Sequence, residues 1–286
     1  MKRLLAALVL ACAFAPAAAS PLGPDGATGR TLPGKFTWFD LATEDPAGAR
    51  AFYGAVFGWR FRDAGSAQAP YTLIEHAGGK VGGIFHAHRP AGAAVGSRWL
   101  SVVSVPDAQK AARYVREAGG QVVLPPRAVA GRGTHAVFRD PEGAVFGVLA
   151  AEDGDPPDSP VTDGDVFWLD LFARDPARAA RFYAGLAGYE VSEPEKGAGP
   201  QRWVLATGGY ARAGIAALRS EATKPGWLPY VLVDDVGGAL RRAVQAGGRV
   251  VVAPRADRLG GNLAVIADPG GGVIGVVNWV SPGAGK

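Results

Sequence analysis

The alternation of apolar and polar positions divides the chain into short strands and amphipathic helices, and the division occurs twice. Phe36–Thr43 has a period of two and predicts a strand with Phe36, Trp38 and Asp40 on one face and Thr37, Phe39 and Leu41 on the other. Asp45-Pro46 then places an N-cap acceptor before a proline at the first helical position. Ala49, Phe52, Val56 and Phe57 follow at helical spacing, and Gly58 is placed to end the helix. Strands are predicted at Tyr71–Glu75 and Val81–Phe85, across a Gly78-Gly79 turn. A second unit repeats the plan. Leu100–Val105 is a strand, Asp107 caps a helix that closes at Gly119-Gly120, and strands follow at Gln121–Leu124, His135–Arg139 and Val145–Ala150, the last pair joined by Asp140-Pro141-Glu142-Gly143.

The whole pattern then returns. Trp38, Phe52-Tyr53 and Gly58-Trp59 reappear as Trp168, Phe182-Tyr183 and Gly188-Tyr189, an offset of 130 residues. Trp99, Gly119-Gly120, Pro126-Arg127 and Asp140-Pro141 reappear as Trp227, Gly247-Gly248, Pro254-Arg255 and Asp268-Pro269 at an offset of 128. A repeat this long exceeds the solenoid range, so each copy is expected to be a complete domain, residues 35–150 and 166–281. Between them, residues 151–165 read as an acidic, proline-punctuated linker and solvated spacer. Residues 20–34, rich in glycine and proline, read as a flexible leader.

Lys2-Arg3, the apolar run Leu4–Phe14 and Ala17-Ala18-Ala19 together predict a signal peptide over residues 1–19 and export to a periplasm or medium. Val9-Leu10-Ala11-Cys12 is a partial lipoprotein box, so lipid anchoring at Cys12 is a minority alternative. Cys12 is the single cysteine of the chain, which leaves the mature protein without a disulfide. Two of the 30 basic residues fall in this segment. The remaining 28 face 26 acidic residues, a net charge of +2 with no basic run, which argues against a nucleic-acid partner. No other stretch has the length and apolarity of a transmembrane helix.

The opening strand running into Asp-Pro, the Phe-Tyr helix ending in Gly-aromatic and the closing Asp-Pro-x-Gly turn, all duplicated in order, resemble the vicinal-oxygen-chelate superfamily of glyoxalase I, bleomycin-resistance proteins and extradiol dioxygenases. The resemblance implies an α+β fold of two tandem domains, each made of paired βαβββ modules whose sheet curls around a cleft for a small molecule. It also implies metal ligands on the first and last strands of each module. Carried over, those positions are Trp38, Gly82–Gly83, Leu100 and Gly147 in the first domain, and Trp168, Ala213–Gly214, Leu228 and Gly275 in the second. Indole, isobutyl and glycine side chains offer a divalent ion nothing, so no metal or other cofactor is expected.

Asp40 and Asp170 each follow a tryptophan by two residues on the same predicted face. Each is a candidate general base or ligand anchor in an apolar cleft, although a structural acceptor for a neighbouring arginine or for backbone amides is the preferred reading. Trp38, Asp40, Tyr71, Trp99, Trp168, Asp170 and Trp227 are the expected cleft residues, and Asp40 is the candidate catalytic group. All four histidines lie in the first domain, and His86-x-His88 has a spacing that a metal can use, although a solvated strand end is the preferred reading. Gly131-x-Gly133 opens into a strand and is no dinucleotide loop.

The leading expectation is an exported, metal-free, small-molecule-binding protein that sequesters or senses an aromatic or amphipathic compound. The alternative is a glyoxalase- or dioxygenase-like lyase, isomerase or oxygenase acting in domain 1. A third reading is a protein-interaction module presenting a groove between its domains. The histidines, Asp40, Tyr71 and Glu75 point to the first domain as the ligand-binding half, because the second has the bulkier Arg202 and Trp203 where the first has Tyr71 and Thr72.

Overall fold

The computed structural model describes residues 23–87, 96–194, 202–220 and 222–279. The predicted signal peptide and Cys12 lie outside the described residues. The first domain runs β1 (Phe36–Thr43), α1 (Pro46–Phe57), β2 (Arg60–Asp63), β3 (Tyr71–His76), β4 (Gly79–His86), β5 (Arg98–Ser104), α2 (Ala108–Glu117), β6 (Gln121–Val129), β7 (Gly133–Arg139) and β8 (Val145–Ala151). The second runs β9 (Val166–Ala173), α3 (Pro176–Ala187), β10 (Glu190–Ser192), β11 (Arg202–Thr207), β12 (Tyr210–Ala217), β13 (Gly226–Leu232), α4 (Val236–Gln245), β14 (Arg249–Val252), β15 (Leu263–Ala267) and β16 (Val273–Val277). Each domain is one open eight-stranded sheet, ordered β2-β3-β4-β1-β5-β8-β7-β6 and β10-β11-β12-β9-β13-β16-β15-β14. The first strands of the two modules, β1 and β5, lie side by side at its centre, antiparallel, and so do β9 and β13.

The helices form where the sequence signals them. Asp45 and Asp175 accept from the amides of Gly48 and Arg178, proline follows each cap, and Gly58 and Gly188 stop α1 and α3 in the left-handed region at φ 71°. The apolar stripe of each helix packs on its own sheet and reaches the other domain. One core combines Val115, Phe138 and Phe146 with Leu171, Phe182, Tyr183 and Ile215. A second combines Leu41, Phe52, Tyr53 and Ile84 with Val231, Ala239, Ile266 and Val276. The two sheets therefore sit back to back, with the helices between them and their other faces turned outward. The surface between the domains is mostly core, and a hollow lined by Gly54, Phe57, Gly164, Val233 and Arg242 lies where they meet.

Reciprocal hydrogen bonds pin this pairing. Tyr53 on α1 donates to Asp268 in the closing turn of the second domain (3.0 Å), and Tyr183 on α3 donates to Asp140 in the matching turn of the first (3.2 Å). Trp99 and Trp227 donate to those same hydroxyls at 3.0 and 2.9 Å. A second reciprocal pair joins Trp59 Nε1 to the Gly164 carbonyl (2.8 Å) and the Tyr189 hydroxyl to the Gly34 carbonyl (2.6 Å). Gly34 and Gly164 have φ of 82° and 91°, and a Cβ on either would run into the Tyr189 ring or the His76 ring.

Three features depart from the sequence reading. A bulge at Thr37 turns Phe36 to the helix side, where it pairs with Val103 and packs on Trp227, so only Trp38 and Asp40 keep the outer face. Strand β2 has the polar pattern of a short edge, with Phe61 its only apolar residue, and carries no period-two signal. The leader and linker are bound together rather than free. Thr28 N donates to the Asp155 carbonyl, and the buried Asp155 side chain accepts from Leu32 N and Ser104 Oγ. Asp158 binds Lys35 at the start of the first domain and Arg212 on β12 of the second, which makes residues 151–165 a strap across both domains.

Tyr53→Phe and Tyr183→Phe each leave a buried carboxylate short of a donor and are expected to cost about 1–3 kcal/mol in urea melts. The two sites lie in different cores, so the double variant should lose the sum to within about 0.5 kcal/mol.

Candidate functional site

The outward face of each sheet forms a cup. In a flat sheet β7 would stand roughly 14 Å from β1, three strand spacings away. Yet Arg132, from the β6–β7 hairpin tip, reaches Asp40 on β1 at 3.3 Å, so the sheet curls. At the centre of the first cup Trp38 Nε1 donates to Asp40 Oδ1 (2.9 Å), the Tyr71 hydroxyl donates to the same oxygen (2.5 Å), and the Arg132 guanidinium holds Oδ2 while lying 4.8 Å from the Trp38 ring centroid. All four residues are buried, with exposures from 0% for Trp38 to 5% for Tyr71. Burial, then the Asp40 charge, pushes the Tyr71 hydroxyl well above the usual phenol range. His135 on β7 shares this face. Its Nε2 is buried without a partner among the described residues, as is Arg132 Nε. Burial and the nearby Arg132 charge push its pKa down to about 3, which keeps the imidazole neutral.

The second cup builds the same group from different strands. Trp168 Nε1 donates to Asp170 Oδ1 (3.0 Å), and Arg202 on β11 binds Asp170 Oδ2 (2.7 Å) from the position that Tyr71 holds in the first domain. The Tyr230 hydroxyl on β13 also bonds to Asp170. Asp170 is buried, and burial raises its carboxyl pKa although Arg202 pulls it back. The surroundings differ. In the first cup Trp38, Leu73, Phe85 and Leu100 are buried, whereas Trp168, Val204, Ala216 and Leu228 at the equivalent positions are partly exposed, and the Arg202 side chain is 44% exposed. The first cup is closed over its polar centre and the second is open.

The donor set does not fit a divalent metal. The carried-over positions remain Trp, Gly, Leu and Gly, and their glycines make room for neighbours. A Cβ at Gly83 would overlap the Tyr71 hydroxyl, and one at Gly147 would stand 3.2 Å from His135 Nε2. A Cβ at Gly214 would crowd Arg202, and one at Gly275 would overlap the Tyr230 ring. Among the described residues no three His, Cys, Asp or Glu side chains gather as a metal would require. His86 ends β4 as an exposed residue, and His88 lies outside the described residues. Each central carboxylate already holds a guanidinium.

Trp38, Asp40 and Tyr71 come together in one cup, and Trp168 and Asp170 in the other. Trp99 and Trp227 instead face the helices, in register with Leu41 and Leu171, and belong to the contact between the domains. Sequence reading missed Arg132 and Tyr230 and took Arg202 for bulk. The one available signal was Gly131-Arg132-Gly133, whose flanking glycines have φ of 69° and 115° and form the hairpin tip.

Comparison with known proteins agrees with this architecture. The family model of the Glyoxalase/Bleomycin resistance protein/Dioxygenase superfamily matches residues 35–148, and that of a glyoxalase-like domain matches residues 167–277. The chain belongs to this superfamily. Within it, the chain is 31% identical to the anthracycline biosynthesis protein DnrV of Streptomyces peucetius, over 87% of this chain and 94% of that one. It is 29% identical to the putative glyoxylase CFP32 of Mycobacterium tuberculosis, over 84% and 93%. The manganese-bound glyoxalase of Novosphingobium aromaticivorans shares the fold, with a TM-score of 0.60 at 16% identity over 87% of this chain and 83% of that one. The dioxygenase LapB of Pseudomonas sp. KL28 shares it at 0.57 and 13%, over 87% and 93%. Among the described residues of this superfamily member no helix is long and apolar enough to cross a membrane.

Two outcomes follow from the contrast between the cups. Trp38→Ala removes a fully buried indole and should cost about 3–5 kcal/mol in urea melts, and Trp168→Ala, half-open, should cost clearly less. Because burial raises Asp170 above the ordinary value of 3.8, the folded protein takes up that proton at higher pH than the unfolded chain. Its contribution to stability therefore falls as pH rises through the window above 3.8. The stability of the wild type relative to Asp170→Asn should shrink as pH is raised from about 4 toward neutrality.

Proposed function

We propose that this protein is an exported, small-molecule-binding member of the superfamily that works without the family metal and receives its ligand in the second cup. The observation that carries this reading is the contrast between two equivalent centres. One is closed over by its own arginine, and the other is open, apolar-walled and floored by a half-exposed ion pair. Small-molecule sites have this composition, a largely apolar hollow with a few fixed polar groups. The reading reverses the expectation that the first domain is the working half, because Asp40 and Tyr71, which favoured it, are engaged with one another and with Arg132.

Sequestering or sensing an aromatic or amphipathic compound is the role such a site serves when no reacting group stands free. The Streptomyces relative is named for anthracycline biosynthesis, a setting that supplies organic small molecules. Export is supported by the charged start and short apolar run of residues 2–14. An enzyme acting through Asp40 has less support, since both oxygens of that carboxylate are engaged. A lyase or isomerase acting through Asp170 meets the same objection, since Trp168 and Arg202 engage both of its oxygens, although burial raises its pKa.

The purified mature protein is expected to contain no stoichiometric divalent metal and to keep its melting temperature in a chelator. About one Fe, Zn, Ni or Mn per chain by elemental analysis would overturn the metal-free reading and point to His86 and His88. Against a panel of aromatic compounds, Trp168→Phe and Asp170→Asn should weaken binding measured by calorimetry while His135→Leu leaves it unchanged. The opposite pattern would return the site to the first domain.

A further inference from the structure

We infer that the second cup selects anions: its ligand is a planar, largely apolar molecule with one acidic oxygen group, held by the Arg202 guanidinium while its ring lies against Trp168. The inference rests on the second cup being the binding site and adds the chemical class of what enters it.

Arg202 presents five N–H donors in a planar fork. Among the described residues its one polar partner is Asp170, reached through Nη2. Nearly half of the side chain is exposed, and its other N–H groups have no protein partner among the described residues. Asp170 stays buried beneath, with Oδ1 accepting from Trp168 and Oδ2 from Arg202. The carboxylate thus fixes the fork without presenting its own charge at the rim. A fork held in this way is preorganised for a carboxylate or enolate, which it can bind through two parallel hydrogen bonds.

The charge around the rim has the matching sign. Arg258, on the turn before β15, is close enough to Tyr230 to act on its hydroxyl. On that turn Asp257 is taken by Arg255, at 2.9 and 3.0 Å. Arg258 therefore adds a second positive charge to that of Arg202 near the Tyr230 hydroxyl. The walls are Trp168, Val204, Ala216 and Leu228, which suit a ring and add no further charge. In the first cup Arg132 is 3% exposed and lies on Trp38, so neither the fork nor the indole face is offered.

The test is calorimetric titration of the full chain with naphthoate and with naphthamide, which share a ring and differ in charge. Wild type should bind naphthoate at least about ten-fold more tightly than naphthamide, with affinity falling as salt is added. Arg202→Gln should remove that preference and leave naphthamide binding unchanged, and Arg202→Lys should recover only part of it. Arg178→Gln, which removes an exposed positive charge elsewhere in the same domain, should have no effect. Equal binding of the two probes, or a preference that survives Arg202→Gln in a folded variant, overturns the anion inference and leaves small-molecule binding standing. No binding of either probe up to its solubility limit counts against the second cup as a ligand site and overturns both readings.

Discussion

The molecule depends on burying one face of each sheet against the helices of the other domain. An eight-stranded sheet with two helices on one side leaves much of that side uncovered, and here each sheet completes the other's core. The tyrosine hydroxyls of α1 and α3 give the packing its register. Each takes an indole proton from its own domain and passes its own proton to a buried aspartate of the other. Burial raises the carboxyl pKa of both Asp140 and Asp268, and the donors that converge on each pull it back. The outward faces take no part in this contact and are free to diverge.

Most of the motifs repeated in both copies serve that contact. Phe-Tyr, Gly-aromatic, the tryptophan at the head of the fifth strand and the Asp-Pro turn look like a functional signature in the sequence, and all of them lie at the junction of the domains. Repetition marked the interface because an interface with two-fold pseudosymmetry needs each partner residue twice. The cups need no such symmetry. Their central residues agree at Trp-x-Asp and then separate, which is where a site has room to specialise.

Strand and helix positions were legible because period, caps and turn glycines are local. The fold class followed once those signals recurred in a fixed order. What stayed hidden was long-range. Thr37 does not announce a bulge, so Phe36 was placed on the wrong face. Arg132 is distant in sequence from Asp40 and meets it only because the sheet curls. Trp99 alternates correctly with its neighbours, but alternation assigns two faces without saying which one lines a cup. The acidic linker read as solvated because its aspartates have no partner nearby in sequence, whereas Lys35 and Arg212 meet Asp158 only in the assembled pair.

In both cups a guanidinium, rather than a set of metal-ligating side chains, meets the aspartate at the centre of the sheet. A divalent ion at the centre of such a sheet would supply positive charge and fix the position of an oxygen ligand. Here glycine replaces the ligand side chain on two strands of each domain, and the cleared space admits longer side chains from neighbouring strands. The positive charge returns as a guanidinium held by the aspartate two residues after the tryptophan. In the first domain it arrives from a hairpin tip, lies across the indole and closes the cup. In the second it arrives from β11, at the side, and leaves the indole uncovered. Because Arg and Tyr come from different strands in the two copies, their shared chemistry reflects the demand of a buried carboxylate for donors more than inherited positions. That demand is met in both domains, but the guanidinium is closed in at 3% side-chain exposure in the first and 44% exposed in the second.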